Sequence, residues 1–315
     1  IKDMEVVIDK ACGLDVHKKT VVATVMGSGI DTETRTFNTF TRDLARLKEW
    51  LKSLGITHVA MESTGVFWKP VHHILEDSFN LLLVNARHIK NVPGRKTDVL
   101  DSEWICKLLR AGLLRGSFVQ PKPIRELRDL VRYRKKQIEV IASEKQRIQK
   151  FLEDANIKLA SVVSDTSGVT ATQMIDELIK GDKSPKEISL LAKGKLKNKL
   201  DALEMALEGC FTDHHKFMIQ TAIKRIESTA ESIEELDVEI NNRIIIIEAS
   251  EYVDLLKTIP GVGRRTAEVL IAEVGTNMNQ FPNEAHLSSW SGLSPGNNQS
   301  GGKKKSAEQL TETRC

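Results

Sequence analysis

An α/β region at the N-terminus followed by a mainly helical remainder is the architecture the sequence predicts, on three observations. Residues 4–25 and 34–40 are rich in Val and Thr and broken by Gly27-Ser28-Gly29, as strands are. Two short apolar runs, 57–62 and 81–84, then alternate with segments whose apolar residues recur at helical spacing. From residue 124 onward long helical patterns replace the strands.

The elements follow in order. Residues 4–25 form a hairpin or two strands, and Thr34 to Phe40 a third. Leu44, Leu47, Trp50, Leu51 and Leu54 lie on one helical stripe, with Thr41 and Asp43 as cap candidates and Gly55 as its end. Thr57 to Glu62 is a short buried strand, Ser63-Thr64-Gly65 a turn, Phe67 to Asp77 a helix and Leu81 to Val84 another strand. Thr97 caps a helix through Asp98, Asp101, Trp104, Ile105, Leu108 and Leu109 to Gly112. Three antiparallel strands followed by strands alternating with helices describe the ribonuclease-H-like architecture.

Residues 124–160 read as a long basic helix, 161–212 as a polar stretch of ill-defined structure, and 213–250 as a second long helix. Ile219, Ile226, Ile233, Ile240 and Ile247 recur every seven residues, the pattern of a coiled-coil seam. The period alone leaves two partners open: the first long helix or another copy of the chain. Next, Thr258-Ile259-Pro260-Gly261-Val262-Gly263-Arg264 reads as a helix-hairpin-helix turn, in which Gly261 and Gly263 let the backbone approach a phosphate. The expected domains are 1–120, 121–250 and 251–315.

The 315 residues are 40% apolar and 28% charged, which suits packed cores. Net charge is only +3, but 17 Lys and Arg against 7 Asp and Glu lie between Arg87 and Lys150. Such a stripe, including Arg125, Arg128, Arg132, Arg134 and Lys135, suits a phosphate backbone or forms a solvated helix face. The four cysteines form no CxxC pair, which argues against a structural zinc site. No apolar run reaches membrane-spanning length, so a cytoplasmic protein with reduced thiols and no membrane partner is expected.

Four carboxylates carry the chemistry. Asp15 sits among apolar residues, Glu62 ends a buried run, and Asp98 and Asp101 share one helix face three residues apart. Carboxylates gathered in one pocket repel unless cations neutralise them, and hard cations such as Mg²⁺ take oxygen ligands beside phosphates. A helix laid across the sheet brings the four together as a metal-dependent nuclease site. His17, Lys18 and Lys19 follow Asp15 closely enough to meet phosphate. The alternative for each acid alone is a solvated side chain.

The order of these pieces resembles the insertion sequence 110 family of transposases, DEDD enzymes guided by a bridge RNA. The resemblance rests on Gly13-Leu14-Asp15-Val16-His17-Lys18, Met61-Glu62-Ser63-Thr64-Gly65, Lys96-Thr97-Asp98 with Asp101, Ile259-Pro260-Gly261-Val262-Gly263, and Gly292-Leu293-Ser294-Pro295 followed by Ser300-Gly301-Gly302-Lys303. It implies a RuvC-like N-terminal domain, a coiled coil, and a C-terminal domain whose serine nucleophile matches Ser300. It also implies Mg²⁺ on Asp15, Glu62, Asp98 and Asp101, a 5′-phosphoserine intermediate, a structured guide RNA, DNA as substrate, and a dimer-of-dimers assembly at the prokaryotic nucleoid. Lys18, Lys19, Arg264 and Lys303 join the basic stripe as expected nucleic-acid contacts. Residues 305–309 depart from the family pattern, and a C-terminal domain cut short at Cys315 is the expectation. The rival readings are a nuclease that uses water, with no need of Ser300, and an inactive nucleic-acid-binding remnant.

Overall fold

The computed structural model describes residues 6–63, 65–85 and 101–291, with backbone strands at 299–300 and 303–304. The chain divides into two compact units, Ile1–Val119 and Gln120–Cys315.

The first unit is built on a five-stranded sheet. β1 (Ala11–Val16), β2 (Thr20–Gly27) and β3 (Ile30–Asn38) run antiparallel, while β4 (His58–Glu62) and β5 (Asn80–Val84) add in parallel, in the order β3-β2-β1-β4-β5. This mixed sheet is the ribonuclease-H-like arrangement. Alternation along the strands sends two sets of side chains to two faces. Cys12, Leu14, Val16, Val59 and Met61 pack beneath α1 (Thr41–Ser53) and α2 (Trp68–Leu75), through Leu44, Leu47, Leu51, Val71 and Leu75. Ala11, Ala60 and Val84 face the other way, onto Trp104, Ile105, Leu108 and Leu109 of α3 (Asp101–Arg110). Helix α1 starts one residue earlier than its expected caps. Its N-cap is Phe40, and Asp43 instead pairs with Arg46 and accepts from the Asn38 amide. Gly55 (φ 70°) and Gly112 (φ 67°) supply the left-handed turns after α1 and α3.

The second unit is helical. α4 (Lys122–Asp154) and α9 (Asp213–Ile246) pair along their length. Glu126 meets Arg243, Glu144 meets Arg225, and Asp154 meets His215, so position rises on one helix as it falls on the other and the pair is antiparallel. Ile219, Ile233 and Ile240 of the seven-residue stripe are buried within the chain itself. The structure thereby supplies an intrachain partner for the stripe, α4.

At the far end of this pair, α5 (Leu159–Val162), α6 (Val169–Lys180), α7 (Pro185–Ser189) and α8 (Leu200–Leu207) enclose a second core around Leu152, Ile157, Leu159, Met174, Ile175 and Leu203. The stretch that read as ill-defined is therefore a small helical cap. Its helices are four to twelve residues long, too short for a clear periodicity. At the near end, α10 (Ser250–Lys257) and α11 (Arg264–Val274) pack on Leu127, Val131, Ile240 and Ile244. Asn283 caps α12 (Glu284–Trp290) by accepting from His286 N–H at 3.1 Å.

A buried ion network ties α4, α9 and α11 together. Arg134 Nη1 donates at 2.6 Å to both Asp237 Oδ1 and Glu268 Oε2, and Arg134 and Glu268 are each only 3% exposed. Arg264 adds a bond to Glu268, and Arg265 one to Asp237. Burial by itself raises the Asp237 carboxyl, but hydrogen bonds from Arg134 and then Arg265 outweigh it, and the group sits below its ordinary 3.8. A depressed carboxyl contributes stability that is present above the unfolded-state value and is lost as pH falls through the folded one. Asp237→Asn is accordingly expected to flatten the acid limb of an unfolding-midpoint series taken below about pH 4. An unchanged slope there would assign the acid sensitivity to other groups.

Candidate active site

Three of the four predicted carboxylates lie in described parts of the first unit. β1 and β4 are parallel neighbours with Leu14 opposite Met61, so the next residues along, Asp15 and Glu62, stand side by side at the carboxyl ends of both strands. Both share the face of Ala11, Gly13 and Ala60, the face that α3 covers. The helix runs antiparallel to β1. Val7 and Ile8 donate to Arg110 O, Cys106 Sγ donates to Ala11 O at 3.3 Å, and Gly13 lies against Ser102 and Cys106. Continuing that course sets Asp15 beside the start of α3, where Asp101 is the first residue. The amino end of a helix favours negative charge.

Asp15 Oδ2 lies 3.0 Å from His17 Nε2; the side chains are 23% and 59% exposed. The β1–β2 turn that carries His17, Lys18 and Lys19 is pinned by main-chain bonds: His17 N donates to Thr20 O, and Thr39 N to Lys19 O. Lys18 and Lys19 are exposed at the same end of the sheet as Asp15. Asp98 lies outside the described residues. Among the described residues no group of three or more His, Cys, Asp or Glu side chains stands close enough to hold a metal ion. Asp15 and Glu62, which the strand register sets side by side, carry carboxylate oxygens of the kind a hard divalent cation takes.

Sequence reasoning missed the residues that seat α3. A Cβ built on Gly13 would lie 2.1 Å from Ser102 O and 2.4 Å from Cys106 N, so only glycine lets helix and strand meet there. The fully buried Ser102 hydroxyl bonds Thr24 Oγ1 at 2.8 Å, and Thr24 in turn bonds Thr34 Oγ1 at 2.8 Å, joining α3 to β2 and β3. An isolated glycine inside an otherwise apolar strand was the available signal. Burial pushes the Cys12 thiol up and that of Cys106 to about 12, so neither forms a thiolate at neutral pH.

The basic stripe needs correction. Arg134 is no surface contact, because burial and two carboxylates hold it inside the helical unit. Arg128 donates to Ala272 O and Glu273 O, and Arg132 grips the Glu273 carboxylate through two bonds of 2.7 and 2.8 Å. Arg128 thereby satisfies carbonyls at the carboxyl end of α11, and Arg132 holds the Glu273 side chain there. Arg125 donates to Gln120 O. Only Lys135 of the five is exposed without an internal role among the described residues.

The Gly261–Gly263 turn joins α10 to α11. Gly261 adopts φ 86°, and a Cβ at either glycine would meet nothing within 4 Å, so this backbone faces open space. Arg264 begins the following helix and is bound to Glu268 and Asn241. Ser300 ends the two-residue strand β6 (Gln299–Ser300) and pairs with Lys303 of β7 (Lys303–Lys304).

Residues 12–157 match the DEDD transposase model of the IS110 group, described as Transposase. Residues 253–313 match the model described as Transposase IS116/IS110/IS902 family. The chain belongs to the IS110 family of transposases. The chain is also 45% identical over 56 residues to the insertion element IS110 uncharacterized 43.6 kDa protein of Streptomyces coelicolor. That alignment spans 18% of the chain and 14% of the relative's own length. Among solved structures, T. thermophilus RuvC in complex with Holliday junction substrate is similar at a TM-score of 0.25 and 12% identity, over 35% of this chain and 99% of that one. Among the described residues no helix is long and apolar enough to cross a membrane.

Proposed function

We propose that this transposase cuts and rejoins DNA strands with Asp15, Glu62, Asp98 and Asp101 around the scissile phosphate and Ser300 as nucleophile. The observation that carries the reading is the side-by-side placement of Asp15 and Glu62 on the face covered by α3, which begins at Asp101. These carboxylates would hold a divalent cation such as Mg²⁺, which would supply charge neutralisation at the phosphate and the leaving oxygen. His17 orients Asp15 through its 3.0 Å contact, and Lys18 and Lys19 hold the DNA backbone at the open end of the sheet. The Ser300 oxygen forms the new bond to phosphorus, the DNA 3′ oxygen leaves with a proton, and the 5′ phosphate stays on the serine. Rejoining reverses the step with another 3′ hydroxyl.

In this reading Gly261, Gly263 and Arg264 meet a phosphate, with Lys303 beside Ser300. The division into a catalytic region, 1–120, a helical coiled-coil region, 121–250, and a C-terminal region carrying the serine, 251–315, follows from the same assignment. A structured guide RNA selects the DNA by pairing, the protein works as a homo-oligomer at the nucleoid, and ribonuclease treatment abolishes selective cutting while sparing DNA binding.

Asp15→Asn and Glu62→Gln are each expected to lower Mg²⁺-dependent strand cutting by about a hundredfold or more, with the thermal midpoint little changed. Ser300→Ala is expected to abolish covalent protein–DNA adducts on denaturing gels. Cutting that survives in Ser300→Ala would assign the chemistry to water. Full activity in both carboxylate variants would remove the site.

A further inference from the structure

We infer that the helical cap at the far end of the α4/α9 pair carries a second surface for the phosphate backbone of duplex DNA, centred on Lys186, Lys193, Lys195 and Lys197. The inference rests on the reading of the chain as one that acts on DNA. Residues 183–199 hold six lysines and one acid, Glu187, and all six lysines are exposed. Lys183 pairs with Glu177, and Lys199 donates to Val162 O. Among the described residues, Lys186, Lys193, Lys195 and Lys197 have no ion-pair partner. The contrast with the base of the helix pair is direct: there Arg128, Arg132 and Arg134 are engaged within the chain.

Local structure explains why these lysines point outward. A 3₁₀ helix, Gly194–Lys199, carries Lys195, Lys197 and Lys199 at alternate positions. At three residues per turn, alternate positions fan around the axis, so Leu196 turns inward while the lysines spread over the outside. Lys195 and Lys199 also line one side of an open cleft of about 470 Å³, together with Val162, Ser164, Asp165 and Thr170. Asp165 is the one acid of that cleft, and it already accepts from Ser167 N–H at 2.8 Å.

Composition selects the partner. Residues 152–210 contain no Phe, Tyr or Trp, and the flanking Phe151 and Phe211 pack against the cap's core, so the lysine-bearing segment itself carries no ring for an unstacked base. Lysines without aromatics make point contacts to phosphates that are independent of sequence. A duplex backbone fits this chemistry, and a single strand read through its bases does not.

The test uses the full chain and a fluorescent random-sequence DNA duplex, titrated over a salt series by anisotropy. In the fourfold variant Lys186→Gln, Lys193→Gln, Lys195→Gln, Lys197→Gln, affinity at low salt is expected to fall about tenfold or more, and the slope of log affinity against log salt to become shallower by about 3 to 4. The melting midpoint should not move, because all four side chains are exposed. An unchanged slope with wild-type affinity overturns the surface while leaving the carboxylate site standing. Wild-type protein that binds no duplex DNA overturns the functional reading as well. A loss seen only with structured RNA, and not with the DNA duplex, overturns the DNA assignment.

Discussion

Replacing Arg134 by Met is expected to cost the helical unit about 3 to 5 kcal/mol, the largest single loss among the predicted contact residues. The guanidinium is 3% exposed and bonds Asp237 and Glu268 at 2.6 Å each. Without it Glu268, also 3% exposed, keeps only Arg264, and one carboxylate remains buried with half its compensation. Removing both partners behaves differently. Arg134→Met with Glu268→Met exchanges a buried pair for apolar side chains, which is often close to neutral. Urea unfolding of the two single variants and the double variant measures the coupling. Additive losses would mean that the pair is not a unit. The same geometry alters how a charge-neutralising series across Arg132, Arg134 and Lys135 is read: lost binding in the triple variant would report unfolding of α4 and α11 rather than lost phosphate contacts.

Gly13→Ala is expected to be nearly as costly, by about 3 kcal/mol, and to abolish strand cutting. The added Cβ meets main-chain atoms, Ser102 O at 2.1 Å and Cys106 N at 2.4 Å, which no rotamer change relieves. Relief requires α3 to move off the sheet. That movement breaks the Ser102–Thr24 bond and displaces Asp101, the first residue of α3. Gly263→Ala serves as the control for stability alone, because its φ of −80° is ordinary and nothing lies within 4 Å of the new methyl group. A Gly13→Ala protein with wild-type melting and cutting would show that α3 is free to sit elsewhere without consequence.

The two variants mark where sequence reasoning stops. The strands, α1, α3 and both long helices were legible because amphipathic period and turn residues are local properties of the chain. Asp15 and Glu62 were legible as candidates because a carboxylate is unexpected beside buried strand residues. The seven-residue isoleucine stripe was legible as a seam, while its partner α4 was not, since a period carries no address. The arginines misled for a related reason. Arg134 and Lys135 are neighbours in the chain with the same formal charge, yet one is buried against two acids from 103 and 134 residues away and the other faces solvent.

By itself, then, the amino-acid order determined the kinds of element, their sequence along the chain, the resemblance to the transposase family and the residue types available for phosphate chemistry. Tertiary structure alone decided which charges meet. Parallel pairing of β1 with β4 puts Asp15 next to Glu62, and the glycine contact at position 13 seats α3 against their face of the sheet. Packing of α4 against α9 and α11 draws Arg134 inside, between Asp237 and Glu268. The physical reason is that a charge acts through distance and desolvation. Both are fixed by residues far apart in the chain, and neither is written in the local pattern around the charge.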